Sequence, residues 1–215
     1  FHSPQKNNND PPPMKKTLNF LTLAVGAAVL ANCSYVGSSS ISKSKSYSSF
    51  KSHRDYRKTS EVYRDDAIYH AATQQNSSIR IDLSDQRAQL LVGPDQKVAI
   101  DTPVCTGKAG KRTSTGTYRV QEKVVNKRST IFGTTYYRGR RVHGGDRRKY
   151  KGPRDKYVGA SLPYWMRMTG SGIGMHGSGY VYRYPSSNGC IRTPHHVIDD
   201  LYRKMRKGGK IIVVN

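Results

Sequence analysis

Met175-His176-Gly177-Ser178, followed by Ser187-Asn188-Gly189-Cys190-Ile191-Arg192, is the stretch on which the reading of this chain turns. A cysteine nucleophile needs a base to draw off its proton and a fixed geometry between the two side chains. A histidine at a strand end and a cysteine on a turn are one way to supply both. Gly189 permits a tight backbone ahead of Cys190, so that successive N–H groups can face a developing oxyanion. From residue chemistry alone two readings stand. Cys190 and His176 form a catalytic pair, or Cys190 is a small residue in a short turn of the kind usually found buried. His143-Gly144 repeats the His-Gly pair, but no apolar strand leads into it and no Gly-Cys turn follows, so it is a weak candidate for the base.

Working outward, Gly172–His176 reads as a short strand, and Thr193-Pro194 as an N-cap with proline at the first helical position, opening a helix to about Lys207. Gly208-Gly209 stops that helix, and Lys210–Asn215 closes the chain as a buried strand. Upstream, Ile79–Leu83 alternates apolar and polar residues, Gln89–Val92 follows, and Gly93-Pro94-Asp95 supplies turn chemistry, the pattern of a β-meander. Lys97–Cys105 and Thr117–Val125 read as two further strands. Arg138–Lys156, with nine Lys/Arg, two Asp, four glycines and a proline, reads as a long exposed loop. The expected fold is a mostly β domain over residues 78–215 with one dependable helix.

The 215 residues carry 37 Lys+Arg against 14 Asp+Glu, a formal net charge of +23, with 35% hydrophobic residues and three cysteines. So little aliphatic content, beside 20 Gly, 10 Pro and 15 Tyr, argues against a helical bundle and a polytopic membrane protein. Three cysteines exclude a disulfide framework. The charge predicts attraction to an anionic polymer such as cell wall, lipid headgroups or nucleic acid, and says nothing of fold. Nucleic acid is disfavoured, because the charge lies in irregular segments without a recognition helix or an aromatic-interleaved strand. With no CxxC spacing, and with His195-His196 read as surface residues, no metal or other cofactor is implied.

Residues 1–13 are polar and proline-rich and read as an upstream extension, with Met14 as the expected start. Lys15-Lys16 and the apolar run Leu18–Ala31 read as a secretory signal over residues 14–33, too short to span a bilayer. Leu30-Ala31-Asn32-Cys33 resembles a bacterial lipobox, which would lipidate Cys33 and anchor the protein to a membrane, although Asn32 departs from the pattern and ordinary cleavage after Ala31 is the alternative. Either way the protein is expected in the periplasm or cell envelope. Ser34–Ser60 holds 11 serines and six Lys/Arg in 27 residues, and residues 34–77 are therefore read as a basic, flexible linker, with a weak helical pattern over 61–77.

The motif HGS…SxGCIR, together with Thr102–Lys108, Thr113–Tyr118, Asp146-Arg147-Arg148 and Gly159–Arg167, resembles the L,D-transpeptidase catalytic domain, the YkuD-like family of cell-wall enzymes, over about residues 78–215. The resemblance implies a compact β-sandwich or barrel-like sheet with Cys and His in one cleft. It also implies a reaction. The cysteine attacks the carbonyl of the third residue of a peptidoglycan stem tetrapeptide, expels the terminal D-Ala and holds the stem as a thioester. An amine or water then resolves it, the latter making the enzyme an L,D-carboxypeptidase; a non-catalytic wall-binding tether is the reading of another class. Carried over to this chain, Cys190 is the nucleophile, His176 the base, the Gly177 carbonyl the third member, and the Gly189 and Cys190 N–H groups the oxyanion donors. Ser187 bonds within the turn. Arg192 pairs with either a substrate carboxylate or a local acid, and Tyr164 and Trp165 either line the donor cleft or pack the core. Asn188 stands where many members have His, a departure that touches thiolate tuning or acceptor contact. Ser114 occupies a common Pro position. Cys105 replaces the more usual Ser and is either buried in its strand or paired with Cys190. The basic segments are read either as docking to anionic wall polymers or as a solvated face.

Overall fold

The structure is a computed structural model and describes residues 46–215. The expected extension, the signal, Cys33 and the first part of the linker lie outside the described residues. The rest is mostly β, in two sheets. The six-stranded sheet contains β1 (Tyr63–Arg64), β2 (Ser77–Asp82), β3 (Arg87–Val92), β4 (Lys97–Pro103), β5 (Gly116–Arg119) and β11 (Lys210–Val214), in the order β1-β4-β3-β2-β11-β5. The five-stranded sheet contains β6 (Glu122–Tyr137), β7 (Arg140–Asp146), β8 (Lys156–Arg167), β9 (Gly174–Ser178) and β10 (Ile191–Pro194), in the order β10-β9-β8-β6-β7.

One apolar cluster joins the two sheets. Ile79, Ile81, Leu90, Ile100 and Ile211 reach it from the first, and Met166, Met175 and Ile191 from the second. Val197, Ile198 and Leu201 of helix α3 (His195–Lys204) complete it. This is the period-2 and period-3.6 patterning by which strands and a helix turn apolar residues to a shared core. Helix α3 starts later than the sequence suggested: Thr193 and Pro194 are the last residues of β10, and Pro194 makes no side-chain cap. The expected strand over Thr117–Val125 is divided between β5 and β6, and Arg138–Lys156 is not a loop throughout, since β7 pairs antiparallel with β6.

The linker expected over 34–77 is corrected for its described part. Residues 47–52 form helix α1 (Tyr47–Ser52) and 66–71 form helix α2 (Asp66–Ala71), with β1 between them paired to β4. Phe50, Tyr56 and Tyr63 are buried as a second apolar cluster. Beneath them the alternate residues of β3, Arg87 and Gln89, are buried instead of facing water. Arg87 pairs with Asp101, both at 0% exposure, and donates to the carbonyls of Tyr56 and Glu61. Tyr47 and Tyr56 donate to the free Asp101 oxygen at 2.8 Å each. A few aromatic rings carry enough apolar area to order a serine-rich segment whose mean hydropathy argues for disorder. The buried ion pair they cover is saturated with hydrogen bonds, the condition under which such a pair is tolerated.

Candidate active site

Strands β9 and β10 run parallel with Met175 opposite Ile191 and Arg192 opposite His176. Met175 and Ile191 point into the core at 0% exposure. Side chains alternate along a strand, so His176 and Arg192 point the other way, and Cys190, two residues before Arg192, shares their face. The apolar pattern of these two short strands thus decides which side of the sheet carries the chemistry. That side forms a cleft of about 800 Å³ lined by Cys190, His176, Trp165, Asn188, Arg192 and residues of β6 and β8 among others.

His176 is 6% exposed, and its Nδ1 lies 2.9 Å from the Gly177 carbonyl oxygen. A carbonyl only accepts, so in the neutral ring Nδ1 carries the hydrogen and Nε2 keeps the lone pair. Burial pushes the imidazole down to about 4, against the pull of the Gly177 carbonyl, with Arg192 and His195 adding to the depression. Burial likewise raises the Cys190 thiol, while the Gly174 N–H and the Arg192 charge act to lower it. The resting pair is therefore thiol and imidazole. Cys190 Sγ lies 3.8 Å from the Gly172 carbonyl oxygen, and no Cys190–His176 hydrogen bond is formed among the described residues. Such bonds are commonly long before substrate arrives.

The turn that carries Cys190 is held at several points. Ser187 Oγ donates to the Cys190 carbonyl at 2.6 Å and accepts from the Gly189 N–H at 3.0 Å. Thr113 Oγ1 donates to the Gly189 carbonyl at 2.7 Å and accepts from the Gly107 N–H. Gly189 sits at φ +114°, and a Cβ there would stand 2.5 Å from Ile173 Cδ1, so neither the backbone nor the space suits another residue. One expectation changes: the Gly189 N–H, assigned as an oxyanion donor, is occupied by Ser187 and shapes the turn instead.

Trp165 lines the cleft at 2% exposure, with its ring centroid 6.2 Å from that of His176 and its Nε1–H donated to Glu122 at 3.0 Å. Tyr164, for which cleft lining and core packing were both open, takes the second course. At φ +55° it packs against the core and makes an edge-on contact with Tyr202 of α3. Arg192 lines the cleft without a carboxylate partner among the described residues, which removes the local-acid alternative. Asn188 is exposed at the rim. Cys105 is buried and unoxidised, with Sγ 3.1 Å from Ser186 Oγ, so the alternative disulfide with Cys190 is absent. His143 lies on β7, where its Nε2 is 3.0 Å from the Asp146 carbonyl oxygen and its ring stacks on Tyr150.

His195 is exposed, as expected of a surface residue, and also lines the cleft next to Gly177. One contributor was not legible in the sequence. Arg183, in the loop between His176 and Cys190, donates to the carbonyls of Gln86, Asp85 and Arg57 at 2.8–3.1 Å, fastening that loop to the first sheet and to the N-terminal segment. Only an arginine amid tyrosines marks the position, and nothing local shows its partners.

The model of the L,D-transpeptidase catalytic domain matches residues 76–213, and the chain belongs to that family. No curated protein matches. Among solved structures, an L,D-transpeptidase from Stackebrandtia nassauensis is 22% identical, with a TM-score of 0.47, over 67% of this chain and 58% of its own. One from Mycobacterium smegmatis is 19% identical, with a TM-score of 0.49, over 65% and 59%. An LD transpeptidase in complex with imipenem is 17% identical, with a TM-score of 0.50, over 65% and 59%. The chain thus spans somewhat under three fifths of the length of these structures.

Proposed function

We propose that the protein is a peptidoglycan L,D-transpeptidase working through a Cys190 thioester. The observation that carries the reading is the placement of Cys190, His176 and Arg192 on one face of a parallel strand pair, with Nδ1 of His176 committed to the Gly177 carbonyl. His176 Nε2 takes the Sγ proton as sulfur attacks the carbonyl of the third stem residue, forming the C–S bond. The oxyanion meets the Cys190 N–H at the mouth of the turn. Collapse breaks the peptide bond, and the proton on Nε2 leaves with the amine of D-Ala. An acceptor amine then gives its proton to the same nitrogen, attacks the thioester and regenerates the thiol. The low affinity of buried His176 for a proton keeps Nε2 available at neutral pH, and the Gly174 N–H and Arg192 favour the thiolate once it forms. Export to the envelope, lipidation of Cys33 and contact of the basic face with anionic wall polymers belong to the same proposal.

The test is intact mass of the protein, wild type and Cys190→Ala, incubated with a disaccharide-tetrapeptide. Loss of D-Ala with wild type alone is expected, together with a stem adduct that Cys190→Ala lacks. Cross-linked dimer among the products separates transfer from hydrolysis to tripeptide. A folded, reduced wild type that yields neither adduct nor product overturns the reading.

A further inference from the structure

The cleft is far more cationic than attack on a single peptide bond requires. Among the described residues no Asp or Glu lines it. Lys127 and Arg167 share Glu122, and Arg148 is paired with Asp146, carboxylates that reach these cations from outside the lining. Lys111, Arg112, Arg128 and Arg192 line the cleft with no carboxylate partner among the described residues. They come from three separate places. Lys111 and Arg112 stand on the loop that Thr113 ties to Gly189, Arg128 lies on β6 opposite Ser161 of β8, and Arg192 follows the nucleophile on β10. Arg128 is held in place by donation to the Gly159 carbonyl at 3.0 Å.

Lys111, Arg112 and Arg128 are exposed and Arg192 is half-buried, so salt screens their mutual repulsion, but four like charges around one concave site still favour an anionic ligand over a neutral one. The carboxylate that departs with D-Ala neutralises one of them. The remainder call for further negative charge on the part of the substrate that stays bound. Resting on the acyl-transfer reading above, we infer that the cleft selects a peptide donor bearing at least two free carboxylates besides the departing one, and discriminates against the same peptide with those carboxyls converted to carboxamides. A carboxamide keeps the shape but loses the charge and presents an N–H₂ donor to guanidinium groups that are donors only. Arg112 and Arg128 are specificity residues on this account, and Arg192 serves both the sulfur and the substrate.

Binding separates this inference from the catalytic reading. The full chain as Cys190→Ala is titrated calorimetrically with two tetrapeptides, one carrying free carboxyls on its second and third residues and one carrying carboxamides at both. The expected result is weaker binding of the carboxamide peptide by about tenfold per carboxyl, as for charge-assisted hydrogen bonds, shrinking as salt rises from 50 to 500 mM. Adding Arg112→Gln and Arg128→Gln to Cys190→Ala is expected to erase most of the preference, and Arg112→Lys with Arg128→Lys to retain it. Equal dissociation constants for the two peptides overturn the inference, as does a preference that survives both Gln substitutions. Turnover by wild type bears on the catalytic reading alone, so each can fail while the other stands.

Discussion

At the scale of single residues, the site depends on two groups held away from their charged forms. Because the base already has its lone pair free, the acid limb of kcat/KM is expected near the depressed His176 value of about 4, with no inflection at the ordinary histidine value of ~6.5. A pH profile of Cys190 acylation by the disaccharide-tetrapeptide between pH 4 and 8 checks this, and a limb at ~6.5 refutes it. His176→Gln keeps a polar side chain without a base, and acylation should fall by about 10²–10⁴-fold while the fold persists. The thiol adds an independent check. Its raised value predicts that, in a His176→Gln background, iodoacetamide modifies Cys190 slowly at pH 7 and faster as pH climbs.

At the scale of elements, the Cys190 turn and the loop before it are the rigid parts. Gly189→Ala has to move Ile173 and hold a left-handed backbone, and is expected to cost about 1–3 kcal/mol and most of the acylation rate, read by thermal unfolding and by mass. Arg183→Ala frees the loop from three carbonyls. Slower acylation is expected, with a smaller effect on unfolding, because the thiol and base survive but their loop loses its fastening. Which of these elements the sequence disclosed follows from physics. Strand β2 announced itself by alternation, β3 by its apolar run ahead of a Gly-Pro-Asp turn, and β9 by its flanking glycines. Strand β7 did not, because its exposed arginines hide the period of two. The N-terminal segment did not, because Tyr47, Phe50, Tyr56 and Tyr63 are too widely spaced among serines and lysines to register as a pattern, and their burial depends on β3 and β4. Trp165 and Tyr164 were predicted together and separated by strand alternation, and the convergence of Arg112, Arg128 and Arg192 is visible only once three elements are assembled.

For the whole molecule, acid weakens the fold through its buried histidine. The unfolded ring binds a proton near pH 6.5 and the folded one near 4, so the stability this group contributes is complete above ~6.5 and is lost as pH falls toward 4, about 3 kcal/mol in total. Chemical denaturation at pH 7 and pH 4.5, compared between wild type and His176→Gln, should show the smaller acid sensitivity in the variant. Asp101→Asn leaves the Arg87 guanidinium buried without its anion and is expected to cost about 3–5 kcal/mol, releasing the N-terminal segment to proteolysis before the sheets open. Strand order carries a final consequence, for biosynthesis. Residues 210–214 lie between β2 and β5 in the interior of their sheet, with Ile211 and Val213 in the shared core. Until those residues leave the ribosome, one sheet stays split and the core stays open to water. The nascent chain therefore stays a threadable polymer until residues 210–214 emerge, and it closes around its cysteine only after that strand has joined β2 and β5.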